Sequence, residues 1–206
     1  MTGPILQLTS EIAEHQESFL ELEYLASRPY SEFVFGDESL ARAVQRHLFQ
    51  TGPCEYSPPE GQLALLNSKP VGILAALPGK LLKRRRLEAA MRLARSPFGR
   101  NDPDLSRRIR LAAQTMLSPN EDDWYFSRLA LLSNARGVGV GFWLEEQVLA
   151  AGRRAGCRRC VLEVTPQSPE AIAIHTRYKF KISSRPRVED PQTGRWLEYI
   201  HMELPL

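Results

Sequence analysis

Arg136-Gly137-Val138-Gly139-Val140-Gly141 stands between an apolar run, Tyr125 to Leu132, and an amphipathic stretch of helical period. Residues of these types at this spacing can hold an anion. Alternating glycines bend the backbone tightly and bring its N–H groups close to a ligand, and a helix starting there adds roughly half a positive charge from its dipole. Phosphate is the natural guest. A Walker-type loop would need Gly-Lys-Ser/Thr at its end, but Phe142 and Trp143 follow Gly141, so nothing supplies the phosphate lysine or the magnesium hydroxyl. A dinucleotide fingerprint would need G-x-G-x-x-G, and the third glycine here is one place early. Glu163, in the next apolar run, stands where that fingerprint wants its ribose-binding acid, so the reading stays open. So does a plain Gly-rich connection with no ligand.

Two other groupings could carry chemistry. Cys157-Arg158-Arg159-Cys160 has metal-ligand or redox spacing, but zinc would need two further ligands and a thioredoxin-type pair opens a helix, whereas this one precedes a strand. No metal site is expected. Lys80, Lys83, Arg84, Arg85, Arg86, Arg92 and Arg95, followed by Arg107, Arg108 and Arg110, concentrate the positive charge of a chain whose net charge is only +3. A solvated helix face explains such a run, as does an electrostatic rim for an anionic nucleotide or an acidic partner. With no aromatics interleaved and no recognised nucleic-acid module, nucleic acid is a minor option.

The elements that must position these groups follow from hydrophobic period and turn chemistry. A strand is predicted near Ile5 to Leu8, then two helical stretches, the second from about Asp37 to Gln50 with Asp37 or Ser39 as cap. Gly61–Leu66 and Pro70–Leu77 form a hairpin about Asn67-Ser68-Lys69. After Pro78-Gly79 come two amphipathic helices, one with Leu87, Met91 and Ala94 as its apolar stripe, the other with Leu105, Ile109, Ala112 and Met116. The helix after the glycines carries Leu144, Val148, Ala151 and Ala155 on one stripe and ends at Arg153-Arg154 and Gly156. Cys160–Val164 is a largely apolar, interior strand, in which Glu163 faces a gap in the sheet or is exposed or paired. Ser168 then caps a helix with Pro169 in its first turn and Ala171, Ile174 and Tyr178 inward.

With 206 residues and 43% hydrophobic content, the chain suits one domain, 1–206, with a sizeable core. No apolar run approaches the ~18 residues that span a bilayer, Met1-Thr2-Gly3-Pro4 does not start a signal peptide, and three cysteines make no disulfide framework. A cytoplasmic protein without a membrane partner is expected, and a homodimer is compatible with these features.

From about Trp124 to Phe180 the sequence resembles the Gcn5-related N-acetyltransferase (GNAT) family, whose acyl-CoA loop reads Arg/Gln-x-x-Gly-x-Gly/Ala between strand 4 and the next helix. Arg136, Gly139 and Gly141 fill those places. The preceding Leu129-Ala130-Leu131-Leu132-Ser133-Asn134-Ala135 is similar to the family's strand-4 ending. Ser168-Pro169-Glu170-Ala171 through Phe180 is similar to its Asn-x-x-Ala-x-x-Leu-Tyr-x-x-x-Gly-Phe signature, with Ser168 for Asn and Lys179 for Gly. The resemblance implies an α/β (α+β) fold: a mixed, mostly antiparallel sheet flanked by helices, here with two extra helices between strands 3 and 4. It implies acetyl-CoA as cosubstrate. Arg136, Gly137, Val138, Gly139, Val140 and Gly141 would bind its pyrophosphate, Leu129 and Leu131 would offer backbone groups to pantetheine and thioester, and Ser168 would also bind the cofactor.

The implied reaction is acetyl transfer to an amine by direct attack on the thioester, with acceptors in the family ranging from antibiotics and polyamines to peptide N-termini. The family's tyrosine, which protonates the departing thiolate, corresponds to His175. Imidazole, with an unperturbed pKa of roughly 6.5 against roughly 10 for tyrosine, can do the same work; an ordinary surface histidine, or Tyr178 one turn on in its place, is the alternative. The attacking amine must be neutral, which at pH 7 costs about 4.6 kcal/mol for a lysine-like group and about 1–1.4 for an α-amine. Where histone-type members carry a strand-4 glutamate this chain has Tyr125, so a low-pKa amine, or Asp122 or Asp123 acting through water, would have to serve. A non-catalytic acyl-CoA-binding module with a degraded centre is the competing reading, and a nucleotide-binding oxidoreductase a third.

Overall fold

The computed structural model describes residues 5–206. Its first strand, β1 (Leu6–Thr9), pairs with β2 (Gly61–Leu66), which a two-residue turn joins to β3 (Lys69–Pro78). Asn67 and Ser68 hold that turn with φ of 50° and 64°, the left-handed pair whose twist matches a hairpin. Between β1 and β2 run α1 (Gln16–Phe35) and α2 (Glu38–Thr51). Asp37, and not Ser39, caps α2, accepting from the Leu40 N–H at 2.9 Å.

The insertion after β3 contains α3 (Gly79–Arg95), the short α4 (Pro97–Asn101) and α5 (Leu105–Ala113), one helix more than expected. The chain continues through β4 (Asp123–Leu131), α6 (Val140–Arg154), β5 (Arg159–Val164), α7 (Pro169–Arg177), β6 (Lys181–Ser184), β7 (Arg187–Glu189), β8 (Trp196–Glu198) and β9 (Ile200–Pro205). Gly156, at φ 71°, closes α6, with the Cys157 N–H reaching back to the Gly152 carbonyl at 3.1 Å.

Seven strands form one sheet in the order β1-β2-β3-β4-β5-β9-β6, and β7 pairs with β8 apart from it. Among the described residues only β4 and β5 run parallel, the remaining pairs being antiparallel. A dinucleotide fingerprint belongs to a parallel doubly wound sheet, so that reading of the glycines ends here. Strand alternation sends Ala64, Leu74 and Phe126 to the face covered by α6, where Leu144 and Val148 are fully buried. Leu63, Ile73 and Ala75 go to the opposite face, against Phe19 and Leu22 of α1. Each such aliphatic or aromatic side chain contributes roughly 1.5–3 kcal/mol by leaving water. Ala155, expected on the buried stripe of α6, is exposed, because the helix has run past the sheet by its last turn.

The stripe expected on α3 is corrected. Leu87 and Met91 are 62% and 43% exposed, and the inward row is Leu82, Arg86, Ala89 and Leu93, with Arg85 beside it. Arginine can line an inner face when its stem packs and its guanidinium meets carboxylates from elsewhere in the fold. Those carboxylates are Glu60 for Arg85 and Glu55 for Arg86. A wholly solvated basic face is therefore also wrong. Among the described residues no helix is long and apolar enough to cross a membrane.

Candidate functional site

β4 and β5 pair only from Asp123 to Phe126 against Arg159 to Leu162, and beyond that point they part. A bulge sits at the same place. Ala75 of β3 opposes Arg128 and Ala76 opposes Phe126, which leaves Ser127 unopposed. A bulge increases local twist and bends its strand, so it turns β4 away from β5. It also breaks the side-chain alternation: Phe126 and Leu129 point to the α6 face, while Ser127 and Arg128 both reach the opposite one. The Leu132 N–H donates to the Val71 carbonyl of β3 at 2.9 Å, so by the alternation of an antiparallel pair the N–H and C=O groups of Leu129 and Leu131 point away from β3, into the opening toward β5.

At the end of β4 the glycines turn the chain into α6. Gly137 and Gly139 have φ of 77° and 88°, and an added Cβ at either would meet nothing within 4 Å, so conformation and not crowding demands glycine there. Gly141 is different. Its Cβ would lie 2.8 Å from Ile174 Cδ1, so its bareness lets α7 approach α6. The first intrahelical bond is Trp143 N–H to the Gly139 carbonyl at 3.1 Å. The N–H groups of Val140, Gly141 and Phe142 therefore face out of the helix start, as an anion cradle requires. Arg136, Gly137, Val138 and Gly139 are all exposed.

Ser168 precedes α7, but its side chain makes no capping bond, because at φ −115° and ψ 69° it lies outside the extended cap geometry. Its carbonyl takes the Ile172 N–H instead. Ala171, Ile174 and Tyr178, expected to face inward, are only half-buried, and the buried residue of α7 is His175, 4% exposed. This rules out a surface histidine. Its ring stands edge-on between Phe126, where the strands part, and Phe180, and Nδ1 lies 3.1 Å from Oε1 of the fully buried Glu145. The one hydrogen of the Tyr178 hydroxyl lies between two acceptors, the Phe142 carbonyl at 3.0 Å and Glu146 at 3.1 Å. Burial, then Glu146, pushes its pKa up to about 12.

On the other face of the sheet, beneath α1, α2, α3 and α5, lies a cavity of about 390 Å³ into which Ser127 and Arg128 project. Its wall contains a buried charge network. Arg128 Nε bonds both oxygens of Glu23, at 3.0 and 2.9 Å, and its NH2 nitrogen meets Glu55 at 2.9 Å. Arg86 bonds Glu55 at 2.8 Å and the Tyr125 hydroxyl at 2.9 Å, and Tyr125 in turn donates to Glu163, which also accepts the Leu117 N–H. Glu163 is thus paired. Burial pushes Glu23 up to about 7 against the pull of Arg128. Burial also opposes the charge on Glu55, but Arg86 and Arg128 outweigh it and bring that carboxyl down to about 2. Burial and Glu163 raise Tyr125 well above the ordinary phenol range.

The two aspartates suggested for a water relay are engaged elsewhere. Asp123 is 1% exposed and bonds Arg159 at 2.7 Å, while Asp122 faces Arg158 at 3.7 Å. Cys157 and Cys160 are free thiols, and among the described residues no three metal-ligating side chains converge. Sequence reasoning missed Glu23, Glu55 and Arg128. One signal was present: Glu23, Ser27 and Ser31 follow Phe19 at four-residue steps, a polar row inside a buried helix face.

Solved structures share this architecture. An N-acetyltransferase from Staphylococcus aureus is 11% identical with TM-score 0.67, over 96% of this chain and 100% of its own. A Drosophila melanogaster polyamine N-acetyltransferase, described as forming N-acetylagmatine, is 15% identical with TM-score 0.58, over 98% and 100%. Another acetyltransferase is 14% identical with TM-score 0.61 over 98% of both chains. Identities this low establish a common fold. No curated protein matches in sequence. The acetyltransferase (GNAT) family profile, however, matches residues 19–180, taking in α1, the parted strands, the glycine turn and α7, and on that span the chain belongs to the acetyltransferase (GNAT) family, as an acyltransferase enzyme.

Proposed function

We propose that this enzyme transfers an acetyl group from acetyl-CoA to a primary amine held in the cavity under α1, α2 and α3. One observation carries the reading. The bulge at Ser127 lies where β4 leaves β5, with the glycine turn at the end of the same strand and the cavity opening on its other face. A reagent anchored at the turn and one held in the cavity would meet there.

Two features fit acetyl-CoA: the outward N–H groups at the start of α6, and the open backbone edge of β4 after Phe126. Residues 136 to 141 would hold its pyrophosphate, Leu129 and Leu131 its pantetheine by main-chain bonds, with Ser168 flanking. Bound there, acetyl-CoA supplies a thioester acyl group open to direct attack. Glu23, whose proton affinity burial has raised toward neutrality, takes the proton of the attacking amine. Arg128 keeps Glu23 oriented. His175 would serve the departing sulfur as an imidazolium, its Nδ1–H donating to Glu145 and its second proton at Nε2 passing to sulfur, and its ring stands at the parting of the strands. Tyr178 is the weaker choice, with its hydroxyl bonded to α6. Release of free CoA, measured across an amine library, tests the proposal. Stabilisation by acetyl-CoA with no CoA release from any amine would leave a binding module in place of an enzyme acting on amines.

A further inference from the structure

Gln45, on α2, is 5% exposed and lines the cavity. Its amide nitrogen lies 2.6 Å from Ser27 Oγ and 3.2 Å from Ser31 Oγ, while its Oε1 is buried with no partner. The Ser27 hydroxyl gives its one hydrogen to the Glu23 carbonyl at 3.0 Å and accepts from the Gln45 amide, an arrangement that leaves Oε1 without a donor. A buried acceptor without a donor is unfavourable, and this one stands in the wall of a cavity large enough for a small molecule.

The charges of the wall say what kind of donor belongs there. Glu23 and Glu55 are held by arginines, and Glu163 by Tyr125 and the Leu117 N–H. Every oxygen of these three carboxylates already has a donor, so a second cation would have to displace one of them from a buried network. The donor is therefore neutral. Arg85 Nε, the other unpartnered group in the wall, is itself a donor, so the complementary molecule also offers an oxygen. Along α1, Ser27 and Ser31 stand four and eight residues beyond Glu23, about 6 and 12 Å at the helical rise. That span corresponds to roughly five to ten carbon–carbon bonds.

We infer that the acceptor is a primary amine carrying, across an apolar spacer of that length, a neutral carboxamide or hydroxyl whose hydrogen bonds Gln45 Oε1. The inference rests on the proposed acetyl transfer and names its substrate class. A polyamine or guanidinoalkylamine, with a second positive charge at the far end, is thereby disfavoured.

Three primary amines of similar length test it: 6-aminohexanamide, heptylamine and 1,6-diaminohexane, each assayed for kcat/KM by CoA release. The wild type is expected to favour the amide over both others by about 10-fold or more. Gln45→Met should bring the amide-to-alkyl ratio close to one, and Gln45→Glu should move the preference toward the diamine. Equal use of all three amines, or an undiminished amide preference in Gln45→Met, overturns the inference and leaves acetyl transfer standing. Hexanamide, which lacks the reacting amine, decides the matter without turnover. It should raise the Tm of the wild type and not of Gln45→Met, and an equal shift in both, or none in either, overturns the assignment of Gln45. Hexanamide stabilisation without acetylation of any amine would overturn the proposed reaction instead.

Discussion

The two faces of β4 are built by opposite means. The turn side is one continuous piece of chain, residues 129 to 141, acting through its backbone. The cavity side joins side chains from distant parts of the sequence: Arg128 and Glu23 are 105 residues apart, Arg86 and Tyr125 39, Tyr125 and Glu163 38. A backbone site fails when a side chain intrudes on it. A network of buried charges fails when one member is removed, because its partners are left unpaired in a medium that penalises them. The faces should therefore respond differently to substitution, and His175, at the seam between them, should respond most.

His175→Phe is expected to lower kcat by 10²–10⁴-fold with acetyl-CoA affinity nearly unchanged, since the proton matters as negative charge develops on sulfur. Tyr178→Phe should do much less. A larger loss in Tyr178→Phe would transfer the role, and wild-type turnover in both would leave protonation to solvent.

Next in size is the cavity network. Arg128→Met leaves Glu23, 1% exposed, with its charge unmatched, and should destabilise the protein by about 3–5 kcal/mol in urea denaturation. Glu23→Met added to it should restore a large part of that loss. A double variant no better than the single would mean that the pair is not energetically coupled.

On the turn side, Gly139→Asp should remove the thermal stabilisation by acetyl-CoA, about 2.7 kcal/mol at a ligand concentration 100 times Kd, by placing a carboxylate where a phosphate should approach. The unliganded Tm should shift only by the strain of φ 88°, because an added Cβ meets nothing within 4 Å. Equal responses of variant and wild type to acetyl-CoA would put its site elsewhere.

Protons separate Glu55 from Glu23 more gently. Glu55 has its folded pKa lowered from 4.5 to about 2, so the stability it contributes is present above 4.5 and is lost as pH falls toward 2. Glu23, raised from 4.5 to about 7, contributes below 4.5 and loses that contribution as pH rises through 7. Denaturation across this range should show Glu55→Gln flattening the acid limb and Glu23→Gln removing the decline between 4.5 and 7. If Glu23 is also the base, activity climbs with pH through about 7 and Glu23→Gln abolishes that climb.

The contrast between the faces also explains what could be read from the sequence. The hairpin, the glycine turn and the helix after it announce themselves by local spacing: Asn67-Ser68, Gly137-x-Gly139, Leu144 with Val148. The cavity has no local signature, since Glu23, Glu55 and Arg128 acquire meaning only when the sheet brings them together. On α3 the period pointed the wrong way, because Leu87 and Met91 match an apolar stripe as well as Leu82 and Leu93 do. What decides between the two faces is the remote carboxylate of Glu55, which lets Arg86 turn inward. The short β6, β7 and β8 carry too few alternating residues to be seen at all.

The smallest expected effect tests that reading of α3. Arg84, Arg85 and Arg86 are adjacent and chemically alike, yet the Arg84 side chain is 65% exposed with Glu88 no nearer than 3.9 Å, whereas Arg85 and Arg86 are 12% and 30% exposed and ion-paired at 3.2 and 2.8 Å. Arg84→Gln should change stability by no more than about 0.5 kcal/mol and leave acceptor kinetics alone. Arg86→Gln removes one of the two arginines on Glu55 and the donor to the Tyr125 hydroxyl in the cavity wall, and should alter acceptor kcat/KM more than acetyl-CoA affinity. Measuring acetyl-CoA Kd for both variants at low and high salt completes the test. A salt-sensitive loss of acetyl-CoA binding in Arg84→Gln would make the outer face of α3 an electrostatic rim for the nucleotide, and the division of labour between the faces of β4 would then extend to the two faces of this helix.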